Sequence, residues 1–121
     1  MRTDFQITCD PPFARLRLSG ELDLMTVDRL QDLLDQTDLA GCTVVEVDLE
    51  GVTFIDARSL GLLDRHQRRL AASGGGLVVV AASPCHVRVS ELAGYENLHP
   101  GPGTRRRLTL VRDRPLSSEG V

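Results

Sequence analysis

VVEVDLEGVTFIDARSLGLL, Val44 to Leu63, changes its hydrophobic period part-way along. Val44, Val45, Val47 and Leu49 are apolar β-formers with Glu46 and Asp48 interleaved, which predicts a strand. Glu50-Gly51 is expected to interrupt that strand, because glycine takes backbone conformations other residues avoid. Val52, Phe54 and Ile55 then direct the chain back into the core. From Asp56 the period becomes helical, with Leu60, Leu63 and Leu70 spaced for one face and Leu62 beside them. Asp56 stands where that helix begins, and its carboxylate can accept a backbone N–H from the next turn. The stretch therefore reads strand, tight link, helix, with Asp56-Ala57-Arg58-Ser59 at the helix tip.

Working outward, Asp4 to Cys9 and Phe13 to Leu18 predict two short strands joined at Asp10-Pro11-Pro12. Phe13, Arg15 and Arg17 alternate with Ala14, Leu16 and Leu18, the pattern of a half-buried antiparallel strand. Ser19 to Asp23 leaves that strand and leads through Leu24 to Thr26, a suitable N-cap with Asp28 in the first turn. Val27, Leu30, Leu33, Leu34 and Leu39 are the apolar face of this first helix, and Gly41 stops it. The second helix is expected to end near Ser73-Gly74-Gly75-Gly76. Leu77 to Ala82 is a near-continuous apolar run, as in a strand buried on both faces. Ser83-Pro84 opens a third helix with Val87, Val89, Leu92 and Ala93 inward and Gly94 as its stop. Strands alternating with helices predict an α/β fold with parallel crossovers in the middle of the sheet. Arg105-Arg106-Arg107 with Leu108, Leu110 and Val111 reads as a short edge strand, and Pro115 to Val121 as a frayed tail.

The 121 residues suit one domain with a modest core, and 41% hydrophobic against 26% charged residues fits a globular chain. A formal net charge of −3 gives no general pull toward nucleic acid. All fourteen basic residues are arginine, without an arginine stripe. No eighteen-residue apolar run or signal segment is present, so a cytoplasmic protein without membrane insertion is expected. Cys9, Cys42 and Cys85 lack the close pairing of metal sites and the even count of disulfide scaffolds, and are expected to be free, buried or half-buried thiols.

Little in the chain points to catalysis. The Gly74–Gly76 triplet links a helix to a strand, the reverse of a phosphate-binding loop, and lacks the lysine such a loop needs. His66 has no ligand partner four residues on, and His86 beside Cys85 points about 100° away from it on a helix. No nucleophile elbow is present, and His66, His86 and His99 are expected at the surface or in caps. The tip at Asp56 admits two readings. One is a plain N-cap. The other is a binding surface, because unpaired N–H groups and the positive end of the dipole gather there, with Arg58 opposing that dipole.

Three segments resemble the STAS domain family of bacterial anti-sigma factor antagonists. They are Leu18-Ser19-Gly20-Glu21-Leu22-Asp23-Leu24, Val47 to Asp56, and Gly76 to Val80 with Pro84 and Leu92 to Leu98. The resemblance implies a four- to five-stranded mixed sheet with helices mainly on one face, as a STAS-like domain over residues 1–100. Residues 101–121 would form a C-terminal extension. It also implies a non-enzymatic protein without cofactors that binds a serine-kinase anti-sigma factor, and it leaves the oligomeric state open. In the family, a Ser or Thr directly after the loop aspartate is phosphorylated and the complex dissociates. Here that residue is Ala57, which has no hydroxyl, and Arg58 and Ser59 follow. Asp23, Asp56, Ala57, Arg58 and Ser59 are therefore the expected partner surface, with Ser59 as a substitute acceptor about 200° round the helix from the usual site. The alternative implied by the same family is a subunit or scaffold docking to a transporter or signalling complex.

Overall fold

Alternation along Phe13–Leu22 sets one face of the sheet: Ala14, Leu16, Leu18 and Leu22 are fully buried, and Arg15 and Arg17 point the other way. The structure, a computed structural model, describes residues 3–100. Its elements are β1 (Asp4–Asp10), β2 (Phe13–Leu22), α1 (Val27–Leu39), β3 (Val44–Ile55), α2 (Ala57–Ala72), β4 (Gly76–Ala82), α3 (Pro84–Ala93) and a 3₁₀ turn at Glu96–Leu98. The sheet order is β1-β2-β3-β4. β1 is antiparallel to β2, whereas β2, β3 and β4 are mutually parallel. The expected mixed α/β sheet is thus present, with four strands among the described residues. The expectations for residues 101–121 lie outside them.

All three helices contribute to a single apolar cluster over one face of the sheet. Leu30 and Leu34 of α1, and Leu60, Leu63 and Leu70 of α2, meet Leu16, Leu18, Val45, Val47, Leu49 and Val79, and Val89 of α3 packs at the margin. On the opposite face the register sets Arg15 beside Glu46 and Arg17 beside Asp48. Arg15 Nε donates to Glu46 Oε1 at 2.9 Å, so a carboxylate only 2% exposed is held within a charge-assisted hydrogen bond.

Several expectations are corrected by packing. Glu50-Gly51 does not break the strand, and β3 continues to Ile55. Gly51 instead faces Ser19 across an irregularity in the register, where an added Cβ would stand 2.7 Å from the Ser19 Cβ. β2 likewise runs on to Leu22, because this second half of β3 is available to pair with it. Phe54 does not enter the core; neighbouring strand residues face opposite ways, Ile55 takes the inward position, and Phe54 is 47% exposed. Leu39 and Leu92 are also exposed, one at the end of α1 and the other on the outer side of α3. With Ala93 exposed as well, α3 turns His86 and Ser90 inward, an i, i+4 pair. His66 and His86 are therefore buried rather than superficial. Thr26 occupies the N-cap of α1 without capping it through its side chain; the hydroxyl accepts from the Asp23 N–H and donates to the Glu21 carbonyl, both at 2.9 Å. Cys42 is buried and Cys85 half-buried as expected, but Cys9 lies exposed on β1.

Candidate partner-binding site

The site forms where the neighbouring strands β2 and β3 end. Leu22 pairs with Ile55, and the Asp56 N–H donates to the Leu22 carbonyl at 3.0 Å. Asp23 and Asp56 each follow one member of that pair, so two segments distant in sequence leave the sheet side by side. In parallel α/β sheets this carboxyl edge is where binding surfaces tend to lie.

Local chemistry shapes both segments. Asp23 Oδ1 accepts the Met25 N–H at 2.9 Å, and the Asp23 carbonyl accepts from Thr26 and Val27 at 3.0 and 2.9 Å. This closes a turn that directs Leu24 and Met25 outward. Asp56 caps α2 as its position predicts, with Oδ1 accepting from the Ser59 N–H at 2.8 Å. Ala57 and Arg58 are exposed on the first turn.

Asp23, Asp56, Ala57 and Arg58 thus come together at the surface, whereas Ser59 turns away. It is 0% exposed, and its buried Oγ has no hydrogen-bond partner. In this conformation its hydroxyl is closed off from the surface. Sequence reasoning missed the apolar part of the surface. Leu24 is 64% and Met25 84% exposed, and Phe54 faces outward on the strand leading to Asp56. A signal was available: Phe54 and Ile55 are adjacent on a strand and cannot both face the core. Among the described residues no group of three or more His, Cys, Asp or Glu side chains is placed to hold a metal ion. No helix among them is long and apolar enough to cross a membrane.

The family model described as "Mlab, STAS domain" matches residues 7–100. The chain belongs to the STAS domain family. The anti-sigma-B factor antagonist of Staphylococcus aureus (strain NCTC 8325 / PS 47) is 29% identical over 105 residues, covering 86% of this chain and 97% of the relative. Among solved structures, the anti-sigma factor antagonist SpoIIAA in its unphosphorylated form superposes with a TM-score of 0.73 at 22% identity, over 93% of this chain and 99% of that one. An anti-sigma factor antagonist from Mycobacterium paratuberculosis gives 0.74 at 24% identity, over 93% and 96%. At these identities the two structures speak for the fold alone.

Proposed function

We propose that this STAS protein is an anti-sigma factor antagonist that binds a serine-kinase anti-sigma factor through the Asp23 and Asp56–Arg58 surface, without the usual phosphorylation switch. The observation that carries the reading is the joint placement of Asp23, Asp56, Ala57 and Arg58 with exposed Leu24, Met25 and Phe54. Charged groups beside large apolar side chains suit a protein interface, where buried apolar anchors supply affinity and charges supply orientation. The sequence relative named an anti-sigma-B factor antagonist supports the same role.

Phosphorylation of a residue beside Asp56 would add roughly 1.5–2 negative charges and oppose docking through repulsion and desolvation. Ala57 offers no oxygen for that step, and the Ser59 hydroxyl is buried. The antagonist would then stay competent as long as it is present, with control resting on its expression or on another partner.

The test mixes the purified protein with kinase-type anti-sigma factors of its own genome, with and without Mg-ATP, and reads complex formation and intact mass together. A complex that survives ATP with no mass gain is expected. A gain of one phosphoryl group, lost in Ser59→Ala, would mean that the switch has moved; failure to bind any such kinase would overturn the reading in favour of docking to a transporter or signalling scaffold. Binding left unchanged by Asp56→Lys would remove this face from the interface.

A further inference from the structure

A groove of about 330 Å³ separates α1 from α2, lined by Gln31, Asp35 and Asp38 on one side and by Leu62, Arg65, His66 and Arg69 on the other. At its floor lies His66, 5% exposed and so nearly sealed from water. Arg69 Nη2 stands 2.8 Å from His66 Nδ1 and 2.6 Å from Asp38 Oδ2. That nitrogen carries two hydrogens, one for each acceptor. Guanidinium nitrogen only donates, so Nδ1 must accept, and the proton of the neutral ring belongs on Nε2. Nε2 is buried without a hydrogen-bond partner, 3.7 Å from Asp38 Oδ1.

We propose that His66 is a proton-sensitive clasp between α1 and α2, in which protonation exchanges the Arg69–His66 hydrogen bond for a His66–Asp38 ion pair. In the neutral state Arg69 bridges His66 and Asp38. A proton added at Nδ1 confronts the Arg69 donor with a second donor, and that hydrogen bond is lost. The imidazolium then directs Nε2–H at the nearby Asp38 carboxylate, which it attracts as a charge-assisted partner. Asp38 Oδ1 gains the imidazolium, and Arg69 parts from the ring with Asp38 Oδ2 as its remaining acceptor. The exchange joins the two helices whose N-terminal ends adjoin the Asp23 turn and carry the Asp56 cap.

The charges around the ring set the working range. Burial holds the His66 pKa below its ordinary value, Arg69 lowers it further, and Asp38 and Asp35 act in the opposite direction. Arg65, the other charged residue of the groove, faces it from α2. The clasp is thus neutral at physiological pH, and its exchange lies on the acid side of the ordinary histidine range.

Two-bond ¹H–¹⁵N correlation spectra of the full 121-residue protein, titrated from about pH 8 to pH 5, test the exchange. At the alkaline end Nδ1 is expected unprotonated and Nε2 protonated, and the Arg69 guanidinium resonances should shift with the His66 midpoint as acid is added. Asp38→Asn should lower that midpoint and Arg69→Met should raise it. A neutral ring protonated on Nδ1, or Arg69 resonances that ignore the His66 titration, would overturn the proposal without reliance on any variant. Midpoints unmoved in both folded variants would do so as well.

Discussion

The Asp56 carboxylate holds the Ser59 N–H at 2.8 Å, one of the backbone donors that a helix start otherwise leaves unpaired. Asp56→Ala should therefore cost about 0.5–2 kcal/mol of stability. Urea unfolding should show this as a lower midpoint with an unchanged slope. Ala57, one residue further on, is exposed and bears no comparable structural duty. Ala57→Ser should leave the fold intact and give a kinase that binds the wild-type protein an acceptor hydroxyl. Intact mass after incubation with Mg-ATP should rise by one phosphoryl group, and the complex should weaken. An unmodified serine in a complex that still forms would show that position 57 does not meet the kinase active site.

Elements meet through close backbone approaches as well as side chains. The junction between α2 and β4 is an example: the Gly76 N–H donates to the Thr43 carbonyl at 2.9 Å where β3 and β4 begin to pair. A Cβ on Gly75 would stand 2.0 Å from the Thr43 oxygen, whereas one on Gly76 would meet nothing within 4 Å. Gly75→Ala should cost about 1–3 kcal/mol through the backbone shift it forces, and Gly76→Ala distinctly less. Thermal unfolding of the two variants side by side checks the order. The sequence marked this triplet as a helix stop and a turn; Gly74 lies in that turn, Gly76 already opens β4, and which glycine faces Thr43 follows from the packing of the strands. Helix α3 teaches the same lesson. Ser83-Pro84 announced its start, and the Ser83 Oγ does accept the His86 N–H at 3.1 Å. Of its expected inward residues Val87 and Val89 are half-buried but Leu92 and Ala93 are exposed, and His86 Nε2 and Ser90 Oγ find partners inside, the Leu98 carbonyl and the His99 ring.

Across the whole molecule, the buried histidines couple stability to pH. Burial lowers the pKa of His66 and His86 in the folded state, against an unfolded value of about 6.5. For His86 the hydrogen bond to Leu98 acts the other way, and His99 adds to the lowering. With folded values below unfolded ones, the unfolded chain binds more protons as the solution is acidified. Their contribution to stability is complete above about pH 6.5 and is lost as pH falls from there through the folded values. Urea midpoints should therefore drop from about pH 7.5 to pH 5, and His66→Gln should reduce the drop. An equal drop in that variant would assign the effect to His86.

What the sequence determined by itself was the order of elements, the mixed sheet, the family and the Asp56 cap, because these rest on local periodicity and on short motifs. The side-by-side exit of Asp23 and Asp56 required the Leu22–Ile55 pairing, a contact between residues 33 apart along the chain. Tertiary packing alone decided that Ser59 is sealed, that Phe54 faces outward, and that His66 lies between Asp38 and Arg69. Periodicity says that a face is apolar. Which side chain of that face is covered depends on the neighbour that arrives there, and that neighbour comes from elsewhere in the chain.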